Sequence, residues 1–132
     1  MSKLFLRDGR GARPAMFIAV CLALVGRAHA EGDIAHGEKL FEECAACHST
    51  VRGENKVGPS LSGLFERKAA ELEDFRYSPA LKRSGIAWTA ETVDTFIADP
   101  QKAVPANRMP YAGMPDAANR TDLIAYLRKV AK

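Results

Sequence analysis

Beyond residue 30 the sequence holds no run in which Val, Ile, Thr or Tyr alternates with polar residues, and neither Asn-Gly nor Asp-Gly occurs there. Half-buried strands and tight hairpins depend on those patterns, so a sheet-built domain is excluded. Cysteine is scarce, with three in 132 residues, at positions 21, 44 and 47. A bridge across the three-residue step from Cys44 to Cys47 would close almost no loop, so a disulfide framework is excluded too. Three histidines, four methionines and one tryptophan leave a short set of candidate metal ligands. No internal repeats or low-complexity segments occur. A membrane span needs about twenty apolar residues in a row, and the longest stretch, Ala15 to Gly26, has twelve.

That stretch belongs to a leader. Lys3, Arg7, Arg10 and Arg13 precede it and Ala28-His29-Ala30 follows, the basic, apolar and small-residue order of a secretory signal peptide cleaved after Ala30. Without an Arg-Arg pair, general secretion is favoured over the twin-arginine route. Cys21 follows Val20, where a lipoprotein signal would want a small residue, so lipidation is discounted. The leader carries five of the nineteen Lys+Arg and one of the sixteen Asp+Glu, which leaves fourteen against fifteen. The formal charge of +3 thus becomes −1 for residues 31–132, and a nucleic-acid binder loses its main support. A single domain of 102 residues remains, expected as a monomer in the periplasm. A chain of this size buries only about two-thirds of its unfolded surface and often needs a cofactor as core.

Helical punctuation fills that domain. Asp33 can cap a helix from Ile34 to Ala45, with Ile34, Gly37, Phe41 and Cys44 on one face. Thr89 can cap a middle helix to Ala98, with Val93, Phe96 and Ile97 inward and Asp99-Pro100 as its stop. Asn119 or Asp116 can cap a last helix with Leu123, Tyr126, Leu127 and Val130 as its stripe. Shorter turns are expected after Pro79 and Pro100, and irregular stretches at Ser49 to Leu61 and Ala103 to Pro115. Loops that long in so small an all-α chain need a large ligand to pack against.

Cys44-Ala45-Ala46-Cys47-His48 names that ligand. C-x-x-C-H is the attachment sequence of c-type haem. Residues three apart lie on one helix face about 5 Å apart, so two sulfurs can form thioethers with the two vinyl groups of one porphyrin. His48 then follows as the proximal iron ligand. A thioredoxin-type motif wants a βαβ context that is missing, and a closed zinc site lacks its second ligand pair. His36, Met109 and Met114 are the candidates for the sixth ligand; His36 lies off the Gly37–Phe41 stripe and reads as a solvated helix residue.

From Gly32 to Lys132 the chain resembles a class I cytochrome c, close to the mitochondrial and bacterial c2 type. Gly37-Glu38-Lys39-Leu40-Phe41 resembles the first helix of that family and Asp122 to Leu127 its last, two helices that cross on a glycine. The resemblance implies a small all-α fold of three main helices, with short helical turns and loops wrapped around one covalently bound haem. It implies that the Pro59 carbonyl accepts a hydrogen bond from His48, and that Arg67, Tyr77 and Trp88 hold a buried haem propionate. Met109 is implied as the axial sulfur, with Asn107 as a nearby hydrogen-bond donor. Glu43, Leu81 and Glu66 depart from the family pattern, at positions where lysine, a polar residue and glycine are common.

Electron transfer follows from that reading, because iron held on both sides by protein has no open site for substrate. The expected partners are redox proteins, a quinol-oxidising bc1-type complex and cytochrome c oxidase or another periplasmic acceptor. Lys56, Lys102, Arg108 and Arg120 are the cations expected to ring the exposed haem edge, with Glu43 weakening the ring. The rival reading is a haem-based sensor or peroxidase-like protein in which Met109 leaves the iron.

Overall fold

The computed structural model describes residues 31–132; the leader expected at residues 1–30 lies outside the described residues. Five helices occur among them, α1 (Ile34–Ala45), α2 (Pro79–Arg83), α3 (Ala90–Ala98), α4 (Pro100–Ala103) and α5 (Ala117–Val130), with one 3-10 turn at Leu64–Glu66. Among the described residues no strand forms; one isolated antiparallel bridge joins Lys68 to Ala87. The all-α expectation holds.

Each long helix starts where a side-chain oxygen can take its orphan amides. Asp33 accepts from the Ala35 and His36 amides, and Thr89 accepts from that of Thr92, whose own hydroxyl oxygen accepts from the Thr89 amide. That reciprocal pair is a capping box with threonine in the place of the usual acid. For α5 the choice between two caps falls on Asp116, which accepts from the Asn119 amide. α2 and α4 each begin at a proline, Pro79 and Pro100, already shaped for a first turn.

The core is the crossing of α1 with α5. Gly37 and Phe41 are buried on α1, and Leu123, Ile124 and Leu127 on α5. At Gly37 a Cβ would sit 2.9 Å from Tyr126 Cβ and closer still to the Asp122 carbonyl, so only glycine lets the two backbones approach this far. The Phe41 and Tyr126 rings meet beside that contact, 5.4 Å between centroids. Ile34, expected on the inward stripe, is 41% exposed, because the first residue of α1 stands beyond the crossing. α3 lays Val93 onto the same core while its Phe96 is buried beside Trp88, and Leu64 and Met114 join the core from the connecting segments.

His36 is not simply solvated. Its Nδ1 lies 2.8 Å from Asp122 Oδ2, while Asp122 Oδ1 accepts from the Asp33 amide at 2.7 Å. These contacts link the start of α1 to α5, and the bond to His36 followed by that from the Asp33 amide holds the Asp122 carboxyl below its ordinary pKa.

Candidate haem site

A cavity of about 250 Å³ opens between these helices and the loops. A water molecule claims about 30 Å³ of liquid, so the space exceeds any ordinary packing defect. Cys44, Cys47, His48, Pro59, Arg67, Tyr77, Trp88, Asn107 and Met109, the nine residues expected at the site, all line it.

Cys44 stands in the last turn of α1 and the chain stays tightly wound past it. The Cys47 and His48 amides both donate to the Cys44 carbonyl, at 3.0 and 2.8 Å, which holds the C-x-x-C-H segment in one compact turn. In the free thiol, burial raises the Cys44 pKa to about 11, with the Glu43 carboxylate adding to the effect. His48 Nδ1 lies 2.7 Å from the Pro59 carbonyl oxygen. A carbonyl only accepts, so Nδ1 carries the proton and the Nε2 lone pair is left for a metal. Burial holds the His48 pKa below its ordinary value, which favours the neutral ring. Gly58 packs under the ring: a Cβ there would lie 2.7 Å from His48 Nδ1.

The loop bridge brings Arg67 and Trp88 together, and Tyr77 lines the same cavity within reach of the Arg67 charge. The Trp88 amide donates to the Arg67 carbonyl at 3.1 Å, and the Ala69 amide to that of Ile86 at 2.7 Å. The Trp88 ring packs edge-on against Phe96, 5.2 Å between centroids. Arg67 Nη2 donates to the Ser60 carbonyl, but Arg67 Nη1 is buried with no hydrogen-bond partner. Burial lowers the Arg67 pKa and raises that of Tyr77, in each case the cost of removing the charged form from water. A buried guanidinium donor without an acceptor is a site for an anion, and a haem propionate is a carboxylate of the right chemistry. The lining fits the group.

The three candidates for a sixth ligand separate cleanly. Met109 is half-buried and lines the cavity. Met114 is 6% exposed, packs in the α1–α5 core and ties its amide to the Ile97 carbonyl at 2.8 Å, so it is a core residue. His36 is engaged by Asp122 at the helix crossing. Asn107 lines the cavity, but its side-chain amide donates to the Pro100 and Val104 carbonyls at 2.7 and 2.9 Å. Its Oδ1 accepts from the Met109 amide at 2.8 Å, so Asn107 shapes the loop that carries Met109. Gln101 Nε2 reaches the Asn107 and Met109 carbonyls, a brace that the sequence did not single out.

The expected ring of cations loses one member. Arg120 donates through Nε to Asp94 and through Nη1 to the Met114 and Pro115 carbonyls, with its side chain 12% exposed. It staples α5 to α3. Lys56 remains exposed with its Nζ on the Ala45 carbonyl at the end of α1.

The family model for cytochrome c matches residues 34–131. The chain belongs to the cytochrome c family. Cytochrome c2 of Blastochloris viridis is 46% identical over 98 residues, covering 74% of this chain and 77% of that protein. Cytochrome c2 of Rhodoblastus acidophilus is 46% identical over 97 residues, 73% of this chain and 91% of the relative. Among solved structures, cytochrome cH from Methylobacterium extorquens superposes with a TM-score of 0.70 at 41% identity, covering 74% of this chain and 99% of that one. Proteins of the cytochrome c family are small electron carriers, not enzymes, that work with redox protein partners and carry haem c bound covalently through C-x-x-C-H, the motif in which Cys44 and Cys47 stand.

Proposed function

We propose that this cytochrome is exported, loses residues 1–30, and works in the periplasm as a monomeric carrier with His48 and Met109 as its axial ligands. It would pass single electrons from a quinol-oxidising bc1-type complex to a terminal oxidase or another acceptor. The observation that carries the reading is the cavity lining: it offers one imidazole with Nε2 free and one thioether, which would serve as the iron's donors, while the other sulfur candidate is locked in the core. The bound haem supplies a one-electron couple.

The protein's part is to hold that couple steady. Pro59 fixes the orientation of the His48 ring through Nδ1. Leu64, Val93, Phe96, Leu123 and Leu127 wall the cavity with hydrocarbon, which disfavours the more charged, oxidised state. A thioether ligand favours the reduced state further, so both effects raise the potential. Arg67 Nη1 and the Trp88 indole, on residues that flank the Lys68–Ala87 bridge, would offer donors to a propionate.

The test is a potentiometric titration of the purified haem protein with spectra at each step. A clearly positive midpoint and the weak red-end charge-transfer band of sulfur-ligated ferric haem are expected. Met109→Leu should abolish that band and Met114→Leu should keep it. A midpoint near zero or below without the band, or a band lost with Met114 instead, would overturn the assignment and favour the sensor or peroxidase-like reading.

A further inference from the structure

The segment that carries Met109 is held in a backbone it does not prefer. Ala106, three residues before Met109, has φ +65°, a left-handed conformation that disfavours a residue with a Cβ. Asn107 and Gln101 brace this segment from α4 and its own turn, and the Met114 amide pins its far end to the Ile97 carbonyl. Those ties all run to the α3–α4 side. One contact crosses to the other side of the cavity: the Tyr111 hydroxyl donates to Glu43 Oε2 at 3.5 Å, over a sequence separation of 68 residues.

The two residues are placed where that contact matters. Tyr111 follows Met109 and Pro110, both of which line the cavity; Glu43 precedes Cys44, which also lines it. The tyrosine ring packs against the α1–α5 core, so its hydroxyl is presented to α1 by a half-buried ring with few orientations open to it. Glu43 and Tyr111 therefore join the haem-attachment helix to the Met109 segment.

We infer that Glu43 is a positioning residue for the axial methionine, acting through the Tyr111 hydroxyl as a strap that holds the Met109 segment against α1. This inference rests on the reading of Met109 as the iron ligand. It gives Glu43 a task inside the protein, where its charge alone would suggest only a weaker docking ring. The strap opposes departure of the Met109 sulfur, and so keeps exogenous ligands from the iron.

The test uses the ferric holoprotein and imidazole as the probe, reading binding from the shift of the main haem absorption band in every variant and, where the sulfur is bound, from loss of the red-end charge-transfer band as imidazole displaces it. Tyr111→Phe removes only the hydroxyl, and Glu43→Ala removes the acceptor. A net hydrogen bond of this kind is worth about a threefold to tenfold change in an equilibrium constant, so both should bind imidazole tighter by about that factor. The double variant should bind no tighter than either single one, and Glu43→Gln, which keeps an acceptor, should return most of the wild-type affinity. Wild-type affinity in Tyr111→Phe, additive effects in the double variant, or no rescue by glutamine would each overturn the strap. Met109→Ala separates the two readings. If it binds imidazole far tighter than wild type while the strap variants do not, Met109 stands and the strap falls. If it binds as wild type does, the ligand assignment itself has failed, and the strap with it.

Discussion

Substituting Gly37 by alanine sets two known effects against each other at the helix crossing. Alanine is the better helix former by about 1 kcal/mol, and Gly37 lies inside α1. Against that gain, the new Cβ would lie 2.7 Å from the Asp122 carbonyl carbon and 2.9 Å from Tyr126 Cβ. Carbon atoms pack best at about 3.5 Å or more, so these contacts are short by about 0.6 to 0.8 Å. The obstacle is mostly the backbone of α5, which cannot rotate away as a side-chain end could. The helices must part, loosening the Phe41–Tyr126 pair and the layer of Leu123 and Leu127 beneath it. Overpacking costs about 1 to 3 kcal/mol, and a backbone obstacle belongs at the upper end. The net expectation is a loss of about 2 kcal/mol, or about 8 to 16 °C in melting temperature for a domain of this size. Thermal unfolding of the holoprotein by circular dichroism measures it. Gly85→Ala serves as the comparison, since its φ of +66° penalises a Cβ while nothing lies within 4 Å of one. That variant should lose only about 1 to 2 kcal/mol from backbone strain. A Gly37→Ala protein as stable as wild type, or more so, would mean that helix propensity outweighs the crossing and would refute the packing argument.

Gly58→Ala should drive the His48 ring off the Pro59 carbonyl, because the added Cβ would press on the imidazole. The expected result is a melting temperature lowered by an overpacking cost of about 1 to 3 kcal/mol together with a shifted haem absorption maximum; an unchanged spectrum would contradict the role given to Gly58. For Asp122, the lowered carboxyl pKa means that its contribution to stability is complete above the ordinary carboxylate range. It is lost as pH falls through the depressed folded value. Denaturant unfolding across the acid range should therefore show a flatter limb below about pH 4 for Asp122→Asn than for wild type. Parallel limbs would refute the linkage. Arg120→Ala leaves Asp94 and the Met114 and Pro115 carbonyls without their donor. Urea unfolding should register a loss of about 1 to 3 kcal/mol. Electron-transfer rates and their salt dependence should stay at wild-type values, and a changed salt slope would return Arg120 to the docking surface.

The features that were legible in the sequence are those fixed by neighbours in the chain. Asp33 and Thr89 cap the helices expected of them because a cap acts over three residues, and C-x-x-C-H works over five. Asp116 and Asn119 are both good caps three residues apart, so the chain pattern alone leaves that choice open. Features that depend on partners far along the chain are hidden in the sequence. Arg120 looked like a free cation until Asp94, 26 residues away, was brought to it. His36 looked solvated until Asp122, 86 residues away, came within 2.8 Å. Asn107 was expected to donate into the site, but the turn of α4 offers its amide two carbonyls first. The apolar walls from α3 and α5 were visible as core stripes, and only the fold shows that one stripe faces both the helix crossing and the cavity.

These long-range contacts are unevenly distributed around the cavity, and the imbalance bears on function. The His48 side is built on α1, which is locked to α5 by the Gly37 contact, the aromatic pair and the His36–Asp122 bond. The Met109 side is an irregular segment, braced by side-chain amides and carrying a left-handed alanine. Local opening starts where few apolar contacts and many exposed hydrogen bonds hold the chain, so hydrogen exchange is expected to be fastest at the Met109 segment. With Met109 as the proposed iron ligand, a carrier would need that segment closed in both oxidation states, since a ligand change at each turnover would add a large reorganisation to the electron step. On that proposal the need would be met by several weak ties from different directions, Asn107, Gln101 and Tyr111, in place of one strong element. Losing any one tie shifts the closed–open balance by a modest factor and leaves the α1–α5 core intact, so ligand retention and global stability are separable properties of this chain.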